Sequence, residues 1–191
     1  MTDFFAHKTA EVSPKAKIGD NTKIWNFVQV RENSSIGKDC IISNGVYIDE
    51  GVKIGDNVKI QNKVSVYKGV TIEDGVFVGP HVCFTNDKVP RAISESGELL
   101  SASEWKLVPT LIKKGASLGA HSVIICGVTI GKFAMVGSGS VVTKDVSDHG
   151  LVFGNPAKLQ GYVCSCGKKL DRINEKRYNH ICTECNKKYK F

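Results

Sequence analysis

The 191-residue sequence lacks long hydrophobic runs, and no segment approaches the roughly 18 apolar residues that a membrane-spanning helix requires. Its first residues, MTDFFAHKTAEV, lack the basic segment followed by an apolar segment that marks a signal peptide. We therefore expect a cytoplasmic protein without membrane insertion. Because its seven cysteines occur without a secretion signal, we expect reduced thiols or a metal site rather than disulfide bonds.

Excess charge is also scarce over most of the chain. The net charge of +7 is concentrated at the C-terminal end, where the residues from Cys164 onward contain eight Lys and Arg against three Asp and Glu. Metal-bound thiolates in that region would offset much of this excess. We therefore do not expect nucleic acid as a partner.

The apolar recurrence at every third or fourth position that predicts a helix is absent as well. Instead, an apolar residue falls on every sixth position from Val12 to Phe84. This apolar series stops for more than twenty residues and resumes on a new frame at Ile112. A companion series of small or β-branched residues follows each member by four positions, beginning with Ala16 and Thr22.

Glycines add a second period of eighteen residues. Gly19, Gly37 and Gly55 each follow a member of the apolar series, and Gly119 and Gly137 repeat the spacing later. Since glycine accepts turn conformations that other residues resist, one glycine-marked corner per eighteen residues predicts a three-sided coil. The predicted fold is all-β, a parallel β-helix of hexapeptide repeats with about six coils.

A different pattern begins after the repeat, so we divide the chain into a β-helix domain at 1–162 and a tail at 163–191. The tail contains two cysteine pairs with fifteen residues between them, Cys164 with Cys166 and Cys182 with Cys185. Two such pairs suit a zinc-ribbon-like site with four thiolates, although the first pair has one intervening residue instead of two. His180 is an alternative ligand. We predict a structural zinc ion that folds the tail and caps the last coil.

The coils, the segment GVTIGKFAMVGSGSVV and the closing VFGNPAK resemble the hexapeptide-repeat acyltransferases that form left-handed β-helices. Within these, IWNFVQV, FTNDKVPRA and LIKKGASLGAHSVIICGVTIG are similar to nucleotide-sugar N-acetyltransferases that acetylate a 3-amino sugar. The resemblance covers residues 1–162, and the cysteine-rich tail lies outside it. The left hand of the coil is implied by the family, since periodicity does not reveal handedness.

The resemblance implies transfer of acetyl from acetyl-CoA to the 3-amino group of a nucleotide-linked sugar, for cell-surface glycan biosynthesis. The sequence most resembles enzymes acting on UDP-linked 2-acetamido-3-amino-2,3-dideoxy-glucuronate; enzymes acting on dTDP-linked 3-amino-3,6-dideoxyhexoses are the alternative. The family further implies a homotrimer with active sites between subunits and a projecting loop, here 85–109. An alternative of another class is a noncatalytic solenoid scaffold.

Three residues are candidates for catalysis, Asn86 and two histidines. Asn86 matches the asparagine of the family's FTN motif, which contacts the reacting amine. His121 is a candidate general base at an outward position beside the apolar series, and His81 is a second, weaker one. Similar sugar acetyltransferases often have Asn at the position of His121, so the resemblance leaves open whether a base is used.

Candidate binding residues come from the same resemblance. Arg91 is predicted to pair with a sugar carboxylate or a phosphate. The sugar nucleotide is expected at Trp25, Asn26, Gln61, Asn62 and Tyr67. The CoA phosphates are expected at Lys113, Lys114, Lys132 and Lys158.

Two other functions lack the residues that they require. A γ-type carbonic anhydrase shares this solenoid but needs three histidines around zinc, and Ala116 and Cys126 hold the coil positions near His81 and His121. A P-loop is excluded because GVTIGKF is one residue short between its glycines and has Phe133 in place of Ser or Thr.

Overall fold

The computed structural model describes residues 3–101, 104–174, 177 and 179–191. The regular elements of these residues are β-strands, most of them two residues long. Each coil of eighteen residues contains three strands, and successive coils pair in parallel register. The predicted parallel β-helix of hexapeptide repeats is confirmed, and its three-sided coils agree with a left-handed β-helix.

The coil has three faces, which we number in the order that the chain visits them. The first face contains Phe5–Ala6, Lys23–Ile24, Ile41–Ile42, Lys59–Ile60, Phe77–Val78, Ser117–Leu118, Met135–Val136, Gly150–Gly154 and Ala157–Tyr162. The second face contains Glu11–Val12, Gln29–Val30, Tyr47–Ile48, Ser65–Val66, Cys83–Phe84, Val123–Ile124 and Val141–Val142. The third face contains Lys17–Ile18, Ser35–Ile36, Lys53–Ile54, Val70–Ile72, Thr110–Ile112 and Thr129–Ile130. Corners are named by the faces that they join.

The strands on either side of the predicted loop pair as if the loop were absent. Phe77 pairs with Ser117 and Cys83 with Val123, forty residues apart instead of the usual eighteen. The interruption therefore inserts 22 residues at the second–third corner and leaves the stack of coils continuous.

The core is a column of side chains enclosed by the coils. The apolar series is buried from Ile18 to Phe84 and again from Ile112 onward, and most of the companion series is buried with it. Three buried hydroxyls of the companion series, those of Thr22, Ser34 and Ser140, donate to backbone carbonyls. The Thr22 hydroxyl, for example, donates to the Gly37 carbonyl at 2.8 Å. Such bonds let small polar residues lie inside an apolar column.

The glycines mark corners, as predicted, but for a different physical reason. A Cβ on Gly19 would lie 2.5 Å from the carbonyl carbon of Gly37, and one on Gly37 would lie 2.6 Å from that of Gly55. The positive φ angles of this corner fall two residues later, at Asn21 (59°) and Asp39 (57°). The predicted reason, a turn conformation, is therefore wrong for these glycines. Glycine is needed because the next coil passes too close for any side chain.

The β-helix ends in a hairpin of Gly150–Gly154 with Ala157–Tyr162, whose first strand continues the first face. Beyond it, the tail forms a three-stranded antiparallel sheet from Asp171–Arg172, His180–Ile181 and Lys188–Tyr189. The division of the chain into domains at 162/163 stays a prediction. In the part of the chain that the structure describes, no helix has the length and apolar character to cross a membrane.

Candidate active site

The loop at 85–109 leaves the coil at the second–third corner, and Asn86 lies at its start. Thr85 still belongs to the coil, because its backbone N–H donates to the Ile124 carbonyl at 3.0 Å. Its hydroxyl also accepts a hydrogen bond from the Cys126 N–H at 2.9 Å. These contacts hold the residue next to Asn86 against the following coil. Asn86 is therefore placed by the rigid stack rather than by the loop.

A cavity of about 630 Å³ lies between the start of the loop and its return. Its lining includes Asn86, Arg91 and Trp105. Asn86 is half-buried, whereas Arg91 is exposed and donates from Nη1 only to the neighbouring Pro90 carbonyl, at 2.9 Å, among its hydrogen bonds to described residues. The structure thus brings two of the predicted residues together around a space large enough for a small ligand.

The returning end of the loop lies directly on two corner glycines. A Cβ on Gly69 would meet the Leu107 side chain at 2.9 Å, and one on Gly127 would meet Val108 Cγ1 at 2.8 Å. Both glycines have positive φ, of 92° and 86°. A Cβ at either position would force the loop side chains that touch it to shift.

Replacing Gly127 with alanine is expected to lower activity more than the same change at Gly51. Gly51 lies at the same corner with φ of 68°, but a Cβ there would meet nothing within 4 Å. Both variants should lose about 1 kcal/mol of free energy of unfolding, since alanine resists positive φ. Only Gly127→Ala displaces the loop and its cavity. Denaturant unfolding and kcat/KM for both variants test this, and equal activities would show that the loop position is unimportant.

Below the loop, the second–third corner has a network of charged side chains that sequence reasoning missed. The Asp49 carboxylate accepts hydrogen bonds from the Tyr47 hydroxyl at 3.0 Å and the Lys68 backbone N–H at 3.2 Å. Lys68 Nζ forms an ion pair with Glu50. The sequence did contain a signal for this network. Glu50 and Lys68 precede Asn86 at intervals of eighteen residues, which places all three at the same corner position in successive coils.

Arg31 joins this network by donating from Nη1 to the Tyr47 hydroxyl at 3.4 Å, and it pairs with Glu32. Shifted pKa values keep Glu32 and Lys68 charged and Tyr47 neutral at pH 7. Hydrogen bonds from the Arg31 guanidinium lower the pKa of Glu32 to about 2. The hydrogen bond to Glu50 raises the pKa of Lys68, and burial raises the pKa of Tyr47. These groups are therefore suited to orienting a polar ligand rather than to exchanging protons near pH 7.

The two candidate histidines lie at the first–second corner, on the other side of the second face. His81 and His121 have φ of 59° and 57°, and the equivalent residues at this corner from Phe27 to Gly139 all have positive φ. Their rings stack with centroids 4.7 Å apart and planes 2° apart. This distance matches the spacing of adjacent strands, because the residues occupy the same position in successive coils. Both histidines are exposed.

His121 and Asn86 do not meet within one chain. Since Cys83 pairs with Val123, His121 lies beside His81 in the next coil. His81 is five residues before Asn86 in the sequence. At about 3.3 Å per extended residue, the two corners are up to roughly 16 Å apart. An active site that uses both residues would need them from two different chains.

The predicted sugar-nucleotide residues are divided between the same two corners. Trp25, Asn26, Gln61 and Asn62 lie at the first–second corner, whereas Tyr67 lies at the second–third corner beside Tyr47, with ring centroids 5.9 Å apart. The Trp25 side chain is 42% exposed and contacts only the edge of Phe5 among the aromatic rings described, at 5.7 Å. The five residues therefore do not form one pocket in the single chain.

The predicted CoA lysines are also divided. Lys113, Lys114 and Lys132 lie at the third–first corner. Lys158 lies apart from them on the terminal hairpin, where it lines a groove of about 410 Å³ together with Lys144. Lys144, which was not predicted, follows Val141–Val142 at the second–third corner, on the side of the coil that has the loop.

The four predicted metal ligands converge in the tail. The sulfur atoms of Cys164, Cys166, Cys182 and Cys185 all lie within 4.8 Å of one another. His180 is not among them; its Nδ1 lies 2.8 Å from Oδ1 of Asn179, and its ring packs edge-on against Tyr162.

The repeats define the class of this protein. The model described as "Bacterial transferase hexapeptide (six repeats)" matches residues 15–50 and 51–86. The model described as "Hexapeptide repeat of succinyl-transferase" matches residues 109–144. Together these matches cover more than half of the chain, which belongs to the hexapeptide-repeat transferases.

A particular relative extends the match beyond the repeats. A dTDP-3-amino-3,6-dideoxy-alpha-D-galactopyranose 3-N-acetyltransferase from Aneurinibacillus thermoaerophilus is 50% identical over 187 residues, which cover 98% of this chain and 91% of the relative. The alignment includes nearly all of the tail, so the expectation that the tail lies outside the resemblance is wrong.

Solved structures share the fold. A hexapeptide-repeat-containing acetyltransferase from Vibrio cholerae, complexed with acetyl coenzyme A, has a TM-score of 0.56 at 28% identity and covers 68% of this chain and 70% of that chain. PerB from Caulobacter crescentus, complexed with CoA and GDP-perosamine, has a TM-score of 0.52 at 24% identity and covers 84% of this chain and 58% of that chain. The likeness to PerB shows the fold alone.

Proposed function

We propose that the protein is an N-acetyltransferase that moves acetyl from acetyl-CoA to the 3-amino group of a dTDP-linked 3-amino-3,6-dideoxyhexose. The observation that carries this proposal is 50% identity over 98% of the chain to a relative named for that reaction. It favours the dTDP-linked alternative over the UDP-linked 2-acetamido-3-amino-2,3-dideoxy-glucuronate that the sequence motifs suggested. The Vibrio cholerae structure with acetyl coenzyme A supports acetyl-CoA as the donor. The product would enter cell-surface glycan biosynthesis.

The reaction forms a bond between the sugar nitrogen and the acetyl carbonyl carbon, and it breaks the bond from that carbon to the CoA sulfur. The amine must be neutral to attack, because an ammonium ion has no lone pair. As the amide forms, the nitrogen loses one proton and the CoA thiolate gains one. Holding the amine and the thioester at reacting distance supplies much of the rate.

Asn86 and His121 have different parts in this reaction. The amine N–H donates a hydrogen bond to the Asn86 side-chain carbonyl, which aims the nitrogen lone pair at the thioester. His121 accepts the proton that the nitrogen releases, as a general base. Asn86 has no basic group at neutral pH and therefore orients the amine without removing its proton.

The loop cavity is assigned to the sugar nucleotide. Because a 6-deoxy sugar has no carboxylate, Arg91 is assigned to the pyrophosphate, where its guanidinium can bind two oxygens at once. CoA is assigned to the same side of the coil, where Lys144 and Lys158 line one groove. Lys113, Lys114 and Lys132 lie at a different corner, so a role in CoA binding would require them from a neighbouring subunit.

The same arrangement supports the homotrimer with active sites between subunits that the family resemblance implies. His121 and Asn86 of one chain lie at opposite corners of the second face, up to roughly 16 Å apart at about 3.3 Å per residue, so we assign each site one residue from each of two chains. In a threefold assembly, the first–second corner of one subunit faces the loop of the next. Each site then contains His121 from one chain and Asn86 from its neighbour.

The test is acetyl transfer by the purified protein to a panel of sugar nucleotides. The panel contains dTDP- and UDP-linked 3-amino sugars with and without a C6 carboxylate, and a dTDP-linked sugar with a 3-hydroxyl as control. CoA release is followed by chromatography, because the seven cysteines would react with a thiol dye. We expect the dTDP-linked 6-deoxy amine to exceed the UDP-linked glucuronate in kcat/KM by about 100-fold or more.

Each other outcome changes one part of the proposal. A preference for the UDP-linked carboxylated sugar would reverse the assignment of the nucleotide and of Arg91. No turnover with any sugar, together with no binding of acetyl-CoA, would favour the noncatalytic scaffold.

A further inference from the structure

The tail brings its two cysteine pairs together face to face. The sulfur of Cys164 lies 3.4 Å from that of Cys185, and the sulfur of Cys166 lies 3.6 Å from that of Cys182. In a tetrahedral site with zinc–sulfur distances of about 2.3 Å, neighbouring sulfurs are about 3.8 Å apart. Each short contact joins one pair to the other, which is the arrangement that a shared ion requires.

The two pairs lie in similar turns, despite their different spacing: the residue after the second cysteine has a positive φ angle, and its N–H bonds back to the carbonyl of the first cysteine. In the first, Gly167 has φ of 90°, and its N–H donates to the Cys164 carbonyl at 2.8 Å. In the second, Asn186 has φ of 57°, and its N–H donates to the Cys182 carbonyl at 2.8 Å. Each turn aims its two thiols inward. The shorter first pair is therefore no obstacle to a metal site.

We propose that Cys164, Cys166, Cys182 and Cys185 bind one Zn²⁺ ion, which folds the tail and holds it against the last coil of the β-helix. Four thiolates are a preferred ligand set for structural zinc and leave no open position for catalysis. The buried core of the tail, in the described residues, comprises Cys164, Leu170 and Cys182. So small a core needs a metal ion to stabilise it.

Tyr189 connects the proposed site to the β-helix. Its hydroxyl lies 3.1 Å from the Cys164 sulfur and accepts a hydrogen bond from the Ser165 N–H at 3.3 Å. A metal-bound Cys164 thiolate has no proton to donate, so in the proposed site the Tyr189 hydroxyl is the donor, as an outer-shell group on the ligand. The ring of Tyr189 packs on that of His149, with centroids 4.9 Å apart.

His149 belongs to the last coil and holds the start of the tail. Its backbone carbonyl accepts a hydrogen bond from the Val163 N–H at 2.8 Å, and its Nδ1 lies 2.9 Å from the Val163 carbonyl oxygen. Its ring stacks on Phe133, which lies one coil earlier, with centroids 5.4 Å apart. The tail thus covers the third–first corner at the end of the stack, where the coil would otherwise expose its edge.

Metal content of the full-length protein tests the site. We expect one zinc ion per chain by mass spectrometry after purification under reducing conditions. Cys182→Ser should lose the zinc, whereas Cys83→Ser, a change to a thiol of the second face, should retain it. Wild-type protein without stoichiometric zinc, an equal content of another metal, or zinc retained by Cys182→Ser would each overturn the proposal.

A milder variant tests the site without the risk of unfolding the tail. Tyr189→Phe keeps the ring on His149 but removes the hydroxyl beside Cys164. We expect zinc affinity to fall by about 10-fold in competition with a chelator. An unchanged affinity would show that Tyr189 does not act on the metal through Cys164.

Hydrogen exchange tests whether zinc holds the tail in place. Removing zinc from the wild-type protein should speed exchange at Val163 and in residues 164–191. The coil should not respond, for example at His121, whose N–H bonds to the Pro80 carbonyl at 2.9 Å. If Val163 stays protected without zinc, the metal does not hold the tail against the coil. None of these measurements depends on the proposed acetyltransferase activity.

Discussion

Asn86→Ala is expected to lower kcat/KM for the sugar nucleotide by about 100-fold, because the amine loses the acceptor that aims its lone pair. The fold should survive. The neighbouring Thr85 is held by hydrogen bonds to Ile124 and Cys126 that do not involve the Asn86 side chain. Steady-state kinetics with chromatographic detection of CoA measure the effect, and thermal unfolding measures the stability.

Two further variants separate orientation from a general disturbance. Asn86→Asp keeps an acceptor oxygen at the same position, so it should lose less activity than Asn86→Ala. Asn33→Gly changes an asparagine with φ of 58° at the same corner but away from the loop, and it should retain activity. Near wild-type activity in Asn86→Ala would place the reacting amine elsewhere.

His121→Asn is expected to lower kcat by about 100-fold if the imidazole takes the amine proton, which is the lower end of the usual contribution of a general base. Asparagine tolerates the positive φ of this position, so the backbone should be unaffected. His81→Asn is a closely matched control, because the two histidines share a corner, a backbone conformation and exposure. Equal losses in the two variants would indicate a structural role for the stacked pair.

Mixing the two inactive variants tests whether His121 and Asn86 come from different chains. In a random threefold mixture of Asn86→Ala and His121→Asn subunits, roughly a quarter of the shared sites combine one intact residue from each chain. Co-expression should therefore restore roughly that fraction of wild-type activity if trimers form with sites between subunits. No recovery in verified mixed trimers would place both residues in the site of a single chain.

The buried column was predictable because the repeat is local. Most six-residue units turn two side chains inward, one from the apolar series and one from its companion series, so spacing alone identifies the core without knowledge of the three-dimensional fold. The same regularity located the loop, since the series stops at Phe84 and resumes at Ile112. The cysteine pairs were equally visible, because zinc ligands recur at short spacings.

Contacts between coils were less accessible to sequence reasoning. His81 and His121 are forty residues apart in the sequence, because the loop is inserted between them. The eighteen-residue period therefore does not show that their rings stack. The charged network around Asp49 joins side chains from successive coils. In the sequence, each of these residues has the pattern of an ordinary surface residue.

The sequence by itself determined the repeat, the enclosed core, the position of the loop and the four cysteines of the tail, since each depends on spacing along the chain. Only the tertiary structure decided that glycine is needed at Gly37 for the close approach of the next coil, and that Tyr189 contacts Cys164 and His149 at once. It also decided that His121 and Asn86 lie on opposite sides of the second face. These features depend on distances between chain segments. The stacking of the coils sets those distances, and the periodicity of the sequence does not show them.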